Sequence, residues 1–183
     1  MISINPKSGE VLAYIGGKNF SESNFDRVRL SFPQSGSSFK PFIYTASLAN
    51  GYNLSSLIND APIVFQDENL ESAWKPQNYT GEFYGPISLR EALIKSVNIV
   101  SIKLLRELGI DESLSYLQKF GFEESRLPKD LSLALGSANF SPAGISESLI
   151  SALPLGLPIW DINTTFAPFS RQYLIVGIDL SIL

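Results

Sequence analysis

Gln34-Ser35-Gly36-Ser37-Ser38-Phe39-Lys40-Pro41-Phe42 sets a hydroxyl and an amine three residues apart, directly behind a glycine. Residues at i and i+3 share a helix face, so Lys40 can reach back toward the Ser37 oxygen. Pro41 fits only in the first turn of a helix, where its missing N–H costs nothing, so a helix is expected to follow Ser37. A serine alone is a poor nucleophile near neutral pH and needs a neighbouring base to take its proton. The chain has no histidine, which excludes a Ser-His-Asp arrangement and leaves lysine as the natural base. Spacing alone is read more simply as a helix cap and a surface charge, and that reading stays open.

Working outward, Ile2 to Ile4 and Val11 to Ile15 flank Asn5-Pro6-Lys7-Ser8-Gly9 and predict an opening β-hairpin. Residues 18–36 are polar and irregular, as a connecting loop is. After Ser37, Phe42, Ile43, Ala46 and Ala49 form a helical stripe that Asn50-Gly51 stops. Residues 52–85 are aromatic-rich with little periodicity and read as an irregular loop with short helical pieces. Ser88 and Glu91 make a capping box for a helix that pauses near Ser96. A second helix is expected from about Ile99 to Gly109. Asp111 is expected to cap a third, which closes at Gly121. After Pro142 neither sustained helical periodicity nor a series of strands is legible, although Tyr173 to Val176 has strand character.

The whole chain sets limits. Its 183 residues suffice for one domain with a core, or part of a larger one. Charged residues make up 17%, below the usual ~25%, which points to extensive burial or to a piece of something bigger. A net charge of -4 gives no basic stripe for nucleic acid. Without cysteine, disulfides and thiolate metal sites are excluded. Met1-Ile2-Ser3-Ile4-Asn5-Pro6 does not read as an export signal, lacking a basic stretch followed by an apolar one, and no run of ~20 apolar residues is present to span a bilayer.

Two further patterns bear on chemistry. A second Ser-x-x-Lys, Ser72-Ala73-Trp74-Lys75, runs into Pro76 in an expected loop, so context favours Ser37. Ser-x-Asn occurs as Ser3-Ile4-Asn5, Ser96-Val97-Asn98 and Ser137-Ala138-Asn139. Only the middle one falls at a break between two strong helices, where a hydroxyl and an amide can enter a cleft. Taken without further context, a plain helix–helix turn is the better account of it, since Ser and Asn favour such places.

The words around these motifs resemble a family. The Ser37 segment is similar to the nucleophile segment of penicillin-binding proteins, in particular the transpeptidase domain of the bifunctional class A enzymes of the 1A type. Asn5-Pro6-Lys7-Ser8-Gly9 with Gly16-Gly17, Asn59-Asp60-Ala61-Pro62, Trp74-Lys75-Pro76-Gln77-Asn78-Tyr79 and Leu89-Arg90-Glu91-Ala92-Leu93 resemble its landmarks. So do Ser96-Val97-Asn98 and Leu133-Ala134-Leu135-Gly136-Ser137, all in the family's order. The implied fold is mixed α+β, a partial penicillin-binding-protein/β-lactamase-like fold in which a helical cluster meets an incomplete antiparallel sheet. The likeness covers residues 1–142 as the N-terminal part of a transpeptidase domain. Residues 143–183 depart from it, as a frame-shifted ending would.

The resemblance implies a peptidoglycan D,D-transpeptidase. Ser37 would attack the stem peptide between its terminal D-alanines, Lys40 would take the serine proton, Ser96 would pass it on, and Asn98 would position substrate and lysine. β-Lactams would acylate Ser37. No metal and no organic cofactor are implied, and no nucleic acid. Membrane contact would come only through an N-terminal anchor missing here, the protein working on the periplasmic face of the bacterial cytoplasmic membrane. The family's third motif, Lys-Thr-Gly or Lys-Ser-Gly, does not follow Asn98, and Lys7-Ser8-Gly9 in the opening turn matches it by letters only. An oxyanion-hole donor follows that third motif in the family, so little activity is expected of this chain alone. A non-catalytic remnant that binds peptidoglycan or protein partners is the alternative. A serine β-lactamase or β-lactam sensor ranks lower, because no base to activate a deacylating water is identified.

Overall fold

The computed structural model describes residues 1–5, 8–64, 74–152 and 174–176. Pro6, Lys7, Ser72 and most of the segment after Ala152 lie outside them, and with them Ser72 of the second Ser-x-x-Lys. Helices predominate, with two small antiparallel sheets at the periphery.

The opening hairpin forms as expected from β1 (Ile2–Ile4) and β2 (Val11–Tyr14), with a register shift between Ser3 and Ile4. The loop after it holds one short helical turn that the sequence reading lacks, α1 (Arg27–Leu30). Asp26 caps it, its side chain accepting from the Val28 and Arg29 amides. A 3-10 turn, Gly36–Phe39, then leads directly into α2 (Lys40–Ala49), with Pro41 in the first turn.

The expected apolar stripe on α2 is too narrow a description. Every residue from Lys40 to Ser47 is buried, while Ala49 is exposed. A helix covered on all sides is a core helix, not a surface one. Phe39, Phe42, Phe122 and Phe140 stack around its start, with Phe42 and Phe122 edge to face at 4.9 Å and Phe39 and Phe122 at 5.2 Å.

The 52–85 segment corrects the sequence reading. It contains strand β3 (Leu57–Asp60) and leads into β4 (Gly85–Ser88), and the two pair from Leu57↔Ser88 to Asp60↔Gly85. The described residues just after Asp60 and just before Gly85 leave and rejoin this ribbon at one end.

Ser88 then caps α3 (Leu89–Ile94), its hydroxyl accepting from the Glu91 amide at 3.2 Å. The helix breaks at 95–97 and the chain turns into α4 (Asn98–Leu108), which ends at Gly109 with φ 84°. The third helix, α5 (Ile110–Leu117), begins at Gly109 instead of Asp111, which sits in its first turn. It closes through a 3-10 turn at Gly121, as the sequence indicates.

Beyond Pro142 the sequence shows no helical period, yet α6 (Pro142–Ala152) forms there. Strand β5 (Leu174–Val176) pairs antiparallel with β1, giving the sheet order β2-β1-β5. Ile2 and Ile4 of β1 pack on Val28, Ala143 and Ile150, so the hairpin is held by α1 and α6.

Candidate functional site

Ser37 lies in the tight turn ahead of α2, and Lys40 is the first residue of the α-helix itself. Three residues per turn in a 3-10 segment bring i and i+3 nearly into line, so the turn itself aims both side chains one way. The turn is gripped from behind. Gly36 N donates to Gly136 O at 2.9 Å, Ser35 N to Ala138 O at 2.9 Å, and Ser35 Oγ to Ala138 O at 3.0 Å. Gly136 has φ 75°, and a Cβ placed on it would lie 1.9 Å from the Gly36 carbonyl oxygen. Only a residue without a side chain lets these two backbones meet.

Lys40 is 1% exposed. Its ammonium donates to Ser96 O at 2.6 Å, to Ser96 Oγ at 2.9 Å and to Asn98 Oδ1 at 2.7 Å. Three donors meet three acceptors, which satisfies a lysine completely. Burial disfavours the charged form and pushes the amine down to about 8. A lysine that loses its proton this readily is suited to act as a base.

Ser96 occupies the break between α3 and α4 with φ 52°, the one non-glycine residue at positive φ among the described residues. That left-handed conformation is uncommon outside Gly, Asn and Asp and is held by the surrounding structure. Here Ser96 N donates to Leu93 O at 3.0 Å and Val97 N to Ala92 O at 2.9 Å. The result turns both the Ser96 carbonyl and its hydroxyl onto Lys40.

Ser37, Ser96 and Asn98 line one open pocket of about 410 Å³, with further wall from Asn78, Tyr84 and Lys95. Among the described residues the Ser37 hydroxyl makes no hydrogen bond, and none of the three Lys40 bonds goes to it. A free hydroxyl facing a pocket, backed by a buried amine, can be deprotonated once that amine is neutral. Catalytic hydrogen bonds are often open before substrate binds.

The four residues singled out in the sequence therefore come together. The other two Ser-x-Asn matches do not. Ser3 is on β1, and Ser137 donates no contact to Lys40 but accepts from Ser132 Oγ at 2.7 Å. Sequence reasoning gives no role to Asn78, Asp60 or Gly136, which hold the site from behind. The signal for Gly136 is a glycine ending a helical turn, and a buried Asp60 leaves no local mark.

The penicillin binding protein transpeptidase domain profile matches residues 1–165. The chain belongs to this family. It is 52% identical over 146 residues to penicillin-binding protein 1A of Pseudomonas aeruginosa, an alignment covering 80% of this chain and 18% of that protein. The crystal structure of penicillin-binding protein 1A from Haemophilus influenzae superimposes with a TM-score of 0.75 at 39% identity, covering 79% of this chain and 21% of that one. The PonA1 protein of Mycobacterium tuberculosis, solved in complex with penicillin V, matches with a TM-score of 0.64 at 26% identity, over 78% of this chain and 40% of that one. The transpeptidase segment described here thus spans less than a fifth of its curated relative, 18%. Among the described residues no helix is long and apolar enough to cross a membrane.

Proposed function

We propose that this chain carries the nucleophile half of a serine-type D,D-transpeptidase site that cross-links peptidoglycan stem peptides and is acylated by β-lactams. The observation that carries the reading is the convergence of Lys40 on Ser96 and Asn98 at 2.6–2.9 Å beside the pocket that Ser37 enters. Family membership and the penicillin V complex of PonA1 support it. By the same reading the protein works on the outer face of the bacterial cytoplasmic membrane.

In the first half-reaction the neutral Lys40 amine takes the Ser37 proton as the Ser37 oxygen bonds to the carbonyl carbon between two terminal D-alanines. Collapse of the tetrahedral adduct breaks the C–N bond. The proton held by Lys40 passes through the Ser96 hydroxyl to the departing amine, restoring the lysine. Ser96 can serve this relay because it accepts from a charged Lys40 and donates to a neutral one. In the second half an acceptor amine attacks the ester and Ser37 regains its proton. Splitting one acyl transfer into two steps lowers each barrier. One oxyanion donor is the Ser37 amide. The second comes, in this family, from a strand after a Lys-Thr-Gly or Lys-Ser-Gly triplet, which this sequence does not contain after Asn98. One such donor is worth about 10²–10³ in rate.

Intact-mass time courses with benzylpenicillin test the proposal. A stable adduct that accumulates slowly in the wild type and not in Ser37→Ala supports it. Rapid turnover without an adduct favours a β-lactamase, and no reaction after prolonged incubation favours a non-catalytic remnant; either overturns it.

A further inference from the structure

Helix α4 has no local cap: Val97 precedes it, and no side chain at that position accepts from its first amides. A helix start needs partners for those amides. They are supplied from twenty residues away. Asn78 Oδ1 accepts from Asn98 N at 2.9 Å and from Ile99 N at 3.2 Å.

Asn78 is itself fixed. Its Nδ2 donates to both oxygens of Asp60, at 3.1 and 2.9 Å, and to Glu82 O at 2.9 Å. Asp60 is fully buried, and its carboxylate also accepts from Tyr84 N at 2.9 Å. Facing an acceptor-only carboxylate, the Asn78 amide can present nothing but its nitrogen, so its oxygen must face α4. The neighbouring Gln77 O accepts from Asn98 Nδ2 at 2.9 Å. That contact fixes the second amide in turn and leaves Asn98 Oδ1 for Lys40 at 2.7 Å.

We propose that Asn78, oriented by the buried Asp60, is a positioning residue that sets Asn98, and through it Lys40, for acylation of Ser37. The proposal rests on the functional reading above, but its first readout does not. A packing role alone would place no demand on which end of the Asn78 amide faces Asp60. The orientation proposed here does, and a partner exchange tests it. In Asn78→Asp two carboxylates meet about 3 Å apart and repel. Adding Asp60→Asn restores a donor–acceptor pair between the two positions, and the carboxylate introduced at position 78 still caps α4, where negative charge is favoured; the bond to Glu82 O is the one contact left unreplaced.

The experiment measures amide hydrogen exchange and penicillin acylation in the full chain for wild type, Asn78→Leu, Asn78→Asp and Asn78→Asp/Asp60→Asn. The expected result is exchange at least tenfold faster at Asn98 and Ile99 in both single variants. Leu104 and Leu105 deeper in α4 stay protected. Acylation falls about 10²-fold, the scale of an ångström misplacement. The double variant recovers part of both losses, short of the share that the Glu82 O contact carries. Unchanged exchange at Asn98 and Ile99 in Asn78→Leu overturns the proposal. So does a double variant no better than Asn78→Asp, or a uniform rise across α4, which marks general unfolding. If the wild type is never acylated yet the exchange pattern and its recovery appear as stated, the functional reading fails and the positioning of Asn98 stands.

Discussion

Lys40 Nζ sits 2.7 Å from Asn98 Oδ1, joining the start of one buried helix to the start of another. The contact is neutral on the asparagine side, so the lysine is desolvated without a counter-charge. Asn98→Asp supplies one. A carboxylate there stabilises the ammonium and raises its midpoint above the present value of about 8. The pH at which penicillin acylation reaches half its maximum is expected to move upward by a unit or more (on the order of the shift produced by an adjacent opposite charge), with slower acylation at pH 7. An unchanged midpoint, followed by stopped-time acylation from pH 6 to 11, contradicts this role for Asn98.

The lysine also links stability to pH. Its folded midpoint of about 8 lies below the ordinary 10.5. Below about 8 both folded and unfolded chains carry the charge, and the full burial penalty opposes folding. Between about 8 and 10.5 the unfolded chain binds more protons than the folded one, so stability contributed by this group rises with pH. Urea midpoints of the wild type are expected to gain on those of Lys40→Met across that window. A difference that stays flat, or falls, shows that the amine titrates normally. Lys40→Met is also expected to lose at least 10²-fold in acylation rate, the usual worth of a general base.

Ser96 separates backbone strain from hydroxyl chemistry. Its φ of 52° suits glycine better than any residue with a Cβ. Ser96→Gly is therefore expected to be more stable than Ser96→Ala by about 1 kcal/mol, the cost of a left-handed conformation. Both lose the hydroxyl proposed as the relay, and both should acylate about 10²-fold slower or worse. Chemical denaturation of the two variants side by side decides it; equal stabilities show the backbone there to be relaxed.

How much was legible follows from what each element depends on. The α3–break–α4–α5 run, with Ser88, Ser96, Gly109 and Gly121 as punctuation, follows from caps and glycines that act over a few residues. Ser37, Lys40, Ser96 and Asn98 were singled out because two short motifs, which alone read as a cap and a turn, stand in stretches that resemble the family in the right order. Strands β3 and β4 were not legible, since Leu57–Asp60 and Gly85–Ser88 are four residues each and gain their order from one another and from the core that Ile58 and Ile87 join. Helix α6 was missed because its inward residues are small, with Ala143, Ser146 and Ser148 buried beside Ile145, so no apolar period shows. Asp60 and Asn78 stand in stretches that resemble the family's, but their contact was not legible, for a further reason. Polar residues in a loop read as solvated, and only the fold reveals that they are buried against each other.

Gly136 gives the sharpest stability forecast. A methyl group there meets the Gly36 carbonyl oxygen at 1.9 Å, with φ already at 75°. Neither backbone can yield without moving the turn that carries Ser37. Gly136→Ala is expected to cost at least about 2 kcal/mol, combining left-handed strain with the clash. Gly81, also at positive φ but with open space around it, serves as control: Gly81→Ala meets strain alone and should cost about 1 kcal/mol. Thermal or urea unfolding of both distinguishes contact from conformation, and equal losses would show that the 36–136 approach is unimportant.

In the proposed reaction one hydroxyl, Ser37, is activated by a lysine held on Ser96 and Asn98. Peptide mapping by tandem mass spectrometry after prolonged exposure to a penicillin tests it most directly. The expected product is a covalent penicilloyl group on Ser37 alone, absent when Lys40 is replaced by Met and unaffected when the neighbouring hydroxyl is removed in Ser38→Ala. An adduct on Ser38, Ser96 or another residue, or one on Ser37 that forms equally fast without Lys40, contradicts it.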